Sequence, residues 1–399
     1  MRRLFMLATA LLLAAGCDLV DIIRETKDNE EPKRPIETET VEALLMSAVS
    51  YPEGYDWRQD EYYGEVPCSL MLMTEDSVLL SRPVGDLYCT ASDIDMHRIV
   101  GGRLYDDWST DEETVVRCDG EVAYSMYGRE MIISMTEQGG CMYSLGYPKD
   151  KGGYVLRKDG KIISQSSEIL PTTPMMMDHG VLSFTGVSTD GEGGTQWCIV
   201  ENGKVVPVDH PSSSARIVKM LRAGGRRHKA IMSRQSLFIA IDNETFFIGL
   251  NPTDSYEPGD FLYDGYRGEC YFDAVKTNCL GEKEYLVWKD GELVYSYTGG
   301  FRKVSWCVAD GELCILGLDQ STGKWMIVRN EMAGELKPGL RPLGSAAMLI
   351  YDKVLYIALV DENDDAVLWK DGITKNFSFH GFIDHLAIGD VTRPVKATS

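Results

Sequence analysis

The stretch YLVWKDGELVYSY (285–297) reads as two strand-forming runs, rich in aromatic and β-branched residues, on either side of Asp290-Gly291. Asp-Gly in that setting is a strong hairpin signal: a two-residue type I′ turn needs φ > 0 at both positions, and it matches the twist of the flanking strands. A turn at 290–291 sets Lys289 opposite Glu292, Trp288 opposite Leu293 and Val287 opposite Val294. Opposite charges then meet at the tip and apolar groups behind it, each pair contributing roughly 0.2–1 kcal/mol.

Nearly the same phrase returns as YVLRKDGKII (154–163) and AVLWKDGIT (366–374). Related turns stand at Asp76, Asp119-Gly120, Asp159-Gly160, Asn202-Gly203, Asp242-Asn243, Asp290-Gly291, Asn330 and Asp371-Gly372, 40 to 48 residues apart. A second family falls midway: Gly101-Gly102, Gly139-Gly140, His179-Gly180, Gly224-Gly225, DGYRG (264–268), Asp310-Gly311 and Asp352-Lys353. Two hairpins, or four strands, in each repeat of about 42 residues are the period and strand count of a β-propeller blade. A pair of β-sandwiches would not account for so steady a period.

Fifteen hairpins supply thirty strands, and FIDHLAIG (382–389) adds a strand with no partner after it. One more strand from the N-terminal GYDWRQDEYYG region (54–64) completes eight blades and removes the free sheet edges of an open ring. Asp76, Asn330 and the 203–250 interval are the least regular matches, and an insertion among them would make the count seven. The expected fold is therefore an all-β propeller of four-stranded blades over 51–399. Its 399 residues exceed the roughly 250–300 at which one compact core stops growing, a limit that a ring of blades avoids. The segment TETVEALLMSAV (38–49) reads as a short helix outside the repeats.

The N-terminus, MRRLFMLATALLLAAGC, has two arginines, then an apolar run shorter than the roughly 20 residues that span a bilayer, then small residues before Cys17. It resembles a bacterial lipoprotein signal (1–16), in which the cysteine is acylated and becomes the mature N-terminus. Here Leu13 sits one place earlier than in the common Leu-Ala-Gly-Cys pattern, and an ordinary cleaved secretory signal is the alternative. Residues 18–40 are charged, punctuated by proline and poor in aromatics, the composition of a flexible tether. Taken together, LAAGC (13–17) and the repeats with Lys-Asp-Gly or Asn-Gly turns resemble uncharacterised bacterial β-propeller lipoproteins. That resemblance implies a monomer held by its lipid on the outer membrane, on the periplasmic side or at the cell surface.

Removing the signal with its two arginines takes the formal charge from −21 to −23. Such a surface repels nucleic acid and anionic lipid, so the anchoring would fall to the acyl chains. Nine cysteines other than Cys17 remain, an odd number that does not suit a fully bridged scaffold. Cys307 and Cys314 face each other across the Asp310-Gly311 turn, either as a bridge or as two small buried hydrophobes. There is no HExxH, GxSxG, Walker or Rossmann pattern and no CxxC pair. His380 and His385 are five apart on a presumed strand and so point to opposite faces.

STDGEGGTQW (188–197) resembles the Asp-box of sialidases, with Ser188, Asp190, Gly193, Thr195 and Trp197 in order but two positions too long, and LDQSTGKW (318–325) echoes it. An Asp-box is a structural turn, and both segments fall between second and third strands. The other loops of that kind are 106–113, 147–153, 277–284 and 361–365. In propellers they share a face with the blade-to-blade connections. Several are acidic, so calcium is the one cofactor they suggest, against the simpler reading of solvated turns. Aromatics gather at 256–272 and 51–63, where Tyr256, Phe261, Tyr263, Tyr266, Trp57 and Tyr62 are candidates to stack on sugar rings, with strand packing as the other use for such rings. GGRR (224–227) is the one compact basic cluster.

Two functions follow from these residues. The first is a non-enzymatic binding or scaffold propeller engaging a glycan or a protein partner. The second is a propeller hydrolase or lyase acting on polysaccharide. For the anchor, labelled fatty acid is expected to enter the wild-type protein and to be absent from Cys17→Ser, which should leave the membrane fraction; equal labelling of both would contradict the lipoprotein reading.

Overall fold

The computed structural model describes residues 38–55, 68–84, 97–109, 112–189, 195–208, 215–233, 236–242, 244–248 and 253–394. The chain divides into two compact units. In the smaller, Met1–Glu42 with Asp390–Ser399, the described part brings the Thr40 and Thr392 hydroxyls to 3.5 Å. The larger, Ala43–Gly389, contains the features below, apart from the first residues of the strand Thr38–Tyr51 and the last of Ile373–Pro394.

Among the described residues every regular element is a strand, in six separate sheets and one sheet of seven strands. Five of the separate sheets have four antiparallel strands: 97–127, 130–166, 215–247, 255–298 and 301–335. The sixth, 169–207, differs only in that its first strand is split into Ile169–Pro171 and Met176–Asp178, both paired with Val181–Thr189. These sheets are blades 2 to 7 in chain order. The seven-stranded sheet contains two more, because the long strand Ile373–Pro394 serves both. Residues 373–380 form the outer strand of blade 8 beside Asp365–Lys370. Beyond Gly381 the same strand becomes the innermost of blade 1, followed outward by Thr38–Tyr51, Cys68–Met73 and Val78–Val84. The fold is a β-propeller of eight four-stranded blades, and the lone strand expected at 382–389 does close it.

The N-terminal partner differs from expectation. Thr38–Tyr51, read from sequence as a short helix and tether, is the strand in question. Residues 44–49 are buried without a break, since a second strand of a blade is covered on both faces. A fully buried strand loses its alternation and reads like a buried helix. Of the 54–64 region proposed for this role, 56–64 lie outside the described residues; Tyr55 sits in a turn, its amide bonded to Pro52 O at 3.1 Å.

The innermost strands pack in succession, each against that of the next blade from blade 4 to blade 8. Apolar clusters fill the wedges between sheets, such as Tyr285, Val287 and Ile315 between blades 6 and 7, or Leu316, Leu355 and Val367 between blades 7 and 8. Blade 1 meets blade 2 where the Ile99 amide donates to His385 Nδ1 at 3.4 Å and Arg82 pairs with buried Asp106 at 2.5 Å. Burial pushes the His385 imidazole below its usual pKa, which keeps Nδ1 free to accept. At Gly381, φ +147, a side chain would collide with Val49 O, so the crossing from blade 8 to blade 1 requires glycine.

The repeated turns have the expected geometry. Asp119-Gly120, Asp159-Gly160, Asn202-Gly203, Asp290-Gly291 and Asp371-Gly372 all have φ between +45° and +92° at both positions. Asn330-Glu331 does too, so the irregular match at Asn330 is a true member. Asp76 belongs instead to a longer turn, in which Thr74 Oγ1 meets Ser77 Oγ at 3.0 Å. Around 290–291 the pairs Lys289–Glu292 and Trp288–Leu293 form as read, but Val287 faces Tyr295 rather than Val294. A bulge shifts the register there, and blades 2 and 3 shift at the matching places, Val116/Arg117 and Leu156/Arg157.

The aspartate has a second task. The Asp290 amide donates to Cys270 O at 2.9 Å and its Oδ1 accepts from the Cys270 amide at 3.1 Å. The same reciprocal pair joins Asp119 to Leu104, Asp159 to Met142, Asn202 to Leu182, Asp242 to Arg227 and Asp371 to Leu355, with Oδ1 distances of 2.8–3.1 Å. In each of these six blades the partner is the second residue of the second strand. The left-handed turn carries the aspartate's own carbonyl away from the ladder, and the side-chain oxygen takes the amide that this carbonyl would have bound. Only Asp or Asn combines that reach with tolerance of φ > 0.

The glycine that follows lies against the preceding blade. A Cβ at Gly160 would come within 2.8 Å of Tyr124, and one at Gly291 would overlap the Phe246 ring. At Gly372 nothing stands within 4 Å, leaving only the cost of φ +92. Gly372→Ala should therefore lose about 1–2 kcal/mol, and Gly291→Ala distinctly more. The expected order of melting temperature is wild type, Gly372→Ala, Gly291→Ala; identical values for all three would contradict the turn assignment.

Candidate functional site

Blades 6 and 7 leave a cleft of about 650 Å³ between the 278–284 loop, the 298–300 connection and the 319–323 loop. It lies on the face that carries both kinds of loop, as the strand order requires. Each wall is locally built. Asn278 Oδ1 accepts the Leu280 and Glu282 amides at 2.9 and 3.0 Å, its Nδ2 donates to Glu282 Oε2 at 2.7 Å, and Gly281 at φ +80 completes the turn. Gly299 and Gly300, at φ +108 and +82, allow the outer strand of blade 6 to turn directly into the innermost strand of blade 7.

The third wall hangs from Asp319. Its Oδ1 accepts from Ser321 Oγ at 2.6 Å and the Ser321 amide at 2.8 Å, while Oδ2 accepts from Thr322 Oγ1 at 2.9 Å and Tyr297 Oη at 3.1 Å. These donors, the Ser321 hydroxyl foremost, hold the Asp319 carboxyl down at about 2. The segment read as an Asp-box echo is thus a self-bonded turn that presents Gln320 and Ser321 to the cleft. The fuller match at 188–197 also joins a second strand to a third, Val181–Thr189 to Thr195–Glu201, with residues 190–194 outside the described ones.

The cleft carries little net charge. Lys276 and Lys283 are balanced by Glu282 and Glu284 in the same lining. Lys276 Nζ lies 3.3 Å from Glu284 and 3.6 Å from buried Asp254; burial opposes its charge, but these carboxylates outweigh it and its pKa is raised. What remains is a surface of hydrogen-bonding amides and hydroxyls.

A second group of charges links the innermost strands of blades 5, 6 and 7 with the second strand of blade 6. Lys219 of blade 5 pairs with Asp260 of blade 6 at 2.7 Å, and Lys303 of blade 7 reaches Asp260 at 3.7 Å and Asp273 at 2.9 Å. Lys303 also sits 4.1 Å over the Trp306 ring, and the Asp260 amide donates to Asp273 at 2.7 Å. Two ammoniums and two carboxylates balance one another in charge and tie the three blades together, although buried Lys303 Nζ makes no hydrogen bond among the described residues.

The aromatic residues chosen from sequence do not form one platform. Tyr256, 9% exposed, and Phe261 belong to the core shared by blades 5 and 6, and Tyr263 packs over the Gly224 turn. Tyr266 is 82% exposed, but in the 264–268 turn, at the end of the blade away from the cleft. Clustering in sequence misled because alternate residues of a strand face opposite sides and a bulge at 258–261 shifts them again. Trp57, Tyr62 and Cys17 lie outside the described residues. The basic 224–227 tip is partly neutralised, Arg226 standing 3.3 Å from Asp242. In the acidic 361–365 loop Asp361 Oδ1 accepts the Asn363 and Asp365 amides at 2.8 and 3.1 Å, and among the described residues no three His, Cys, Asp or Glu side chains group as metal ligands. The cleft residues were legible only as two of the named loops; the tandem Gly299-Gly300 was the overlooked signal.

No protein-family model and no curated protein matches this chain. Among solved structures it is similar to the uncharacterised protein lmo1340 from Listeria monocytogenes EGD-e, with 10% identity over 71% of this chain and 94% of that one, at a TM-score of 0.41. It is also similar to the β-propeller domain of Myceliophteria thermophila Cps50 (Swd1), with 11% identity, 68% and 95% coverage and a TM-score of 0.39. The dihydro-heme d1 dehydrogenase NirN gives 10% identity, 87% and 74% coverage and a TM-score of 0.45. The fold assignment rests on strand order and register.

Proposed function

We propose that this protein is a non-enzymatic binding propeller, held on the outer membrane through acylated Cys17, and that it takes a neutral carbohydrate in the cleft between blades 6 and 7. The observation that carries this reading is the charge balance of the cleft. Two lysines and two glutamates cancel, and Asn278, Thr298, Gln320 and Ser321 offer amide and hydroxyl groups. Such a lining discriminates little in favour of an ion but pairs well with the alternating donors and acceptors of sugar hydroxyls. Its volume lies within the range of roughly 300–1,000 Å³ common for small-ligand pockets. The strongly acidic molecule as a whole disfavours polyanions.

Binding through neutral hydrogen bonds is little screened, so affinity should persist in moderate salt. Neutral glycans on an array should retain the protein without turnover on glycoside panels, and Gln320→Ala should weaken retention about tenfold, as for one lost hydrogen bond of ~1.4 kcal/mol. Hydrolysis or elimination at an enzymatic rate would replace this reading with a polysaccharide hydrolase or lyase. Retention unchanged by Gln320→Ala would move the site elsewhere.

A further inference from the structure

Cys307 and Cys314 face each other directly across the innermost hairpin of blade 7, and among the described residues they are the one pair of cysteines in register. The turn between them, Asp310-Gly311, has φ +50 and +75, so the Ala309–Glu312 pair that flanks it is hydrogen-bonded. Alternation along an antiparallel ladder then makes Val308–Leu313 a non-hydrogen-bonded pair and Cys307–Cys314 a hydrogen-bonded one. Opposed Cα atoms in such a pair are about 5.5 Å apart, inside the range a disulfide spans. Both thiols sit in the apolar wedge between blades 7 and 8, with Cys314 fully buried and Cys307 half-buried.

We propose that Cys307 and Cys314 form a reversible dithiol site, which a low-molecular-weight disulfide or a thiol–disulfide oxidoreductase converts into a cross-strand disulfide. The Cys307 thiolate, the more accessible of the two, attacks one sulfur of the oxidant and expels its partner thiolate, leaving a mixed disulfide. Cys314 then attacks the Cys307 sulfur and expels the second thiolate. Two cysteine thiols are oxidised, one external disulfide is reduced to two thiols, and the two cysteine protons pass to the leaving thiolates.

Two features make the bridge labile rather than a permanent staple. It closes a loop of only six intervening residues, so it removes little entropy from the unfolded chain. Side chains in a hydrogen-bonded pair also stand farther apart than in the alternative pair, so bridging draws the strands off their ladder, and a strained disulfide is readily reduced. The hydrogen bond that the Cys307 thiol donates to Cys314 and burial both push Cys307 well above its usual pKa, so exchange is slow at neutral pH and quickens as pH rises. Cys314 faces Arg329 on the third strand, and Arg329 holds Asp371 at 2.6 Å and Lys353 O at 2.7 Å in blade 8, which places the bridge beside the contacts joining the two blades.

The test uses folded full-length protein in glutathione buffers of increasing oxidised fraction, quenched in acid, alkylated after unfolding and digested with trypsin. Both cysteines fall in the single tryptic peptide 304–324. This peptide is expected to lose two hydrogens under oxidising conditions and to regain them with dithiothreitol without unfolding, while exposed Cys279 takes up glutathione only. In Cys314→Ala, the reaction should stop at a glutathione adduct on Cys307. Full alkylation of both cysteines in the most oxidising buffer would overturn the proposal, as would a stable adduct on Cys307 in the wild type. The wild-type measurement decides even where the variant does not fold.

Discussion

A side-chain oxygen standing in for a carbonyl is the interaction on which six of the eight blades, 2 to 6 and 8, depend. Where the third strand turns back, the left-handed Asp or Asn can no longer offer its own C=O to the second strand, and Oδ1 takes that amide instead, as Asp119 does for Leu104 and Asp371 for Leu355. The bond ties the outer hairpin turn to the start of the second strand, beside the inner hairpin turn. One end of the blade is thereby fixed. The loops at the other end are left free to differ, and that is where blades 6 and 7 build their cleft from an Asn278 turn, a glycine pair and the Asp319 turn.

This division explains what could be read from the sequence. The Asp-Gly phrase is constrained twice, by backbone angle and by the amide it must reach, so it recurs visibly, and with it came the period, the blade count and the closing strand at 382–389. The first strand of the chain escaped because Leu44, Leu45, Met46, Ala48 and Val49 are all buried, with none of the alternation that marks a half-exposed strand. The register error at Val294 has a similar origin, since a bulge leaves no mark in the residue types around Val287.

The site was less legible for a related reason. A loop that no ladder constrains carries no repeat, and its meaning depends on neighbours from another blade. Aromatic density pointed to 256–272, but Tyr256 and Phe261 had already been claimed by the wedge between blades 5 and 6. The same wedges account for the innermost charges: Lys303 is held between Asp260 and Asp273, which leaves it little freedom to act on a ligand. The strongly acidic total charge likewise says nothing of the cleft, where lysines and glutamates balance locally.

Amide hydrogen exchange in Asp290→Ala tests the central claim, that a side-chain oxygen in blades 2 to 6 and 8 secures the second strand at its turn end. Loss of one such bond, on the order of 1 kcal/mol, should speed exchange several-fold at the Cys270 amide. The Met142 and Leu355 amides, held by Asp159 and Asp371 in other blades, should keep their wild-type rates. An unchanged rate at Cys270, or equal acceleration at all three, would contradict the account.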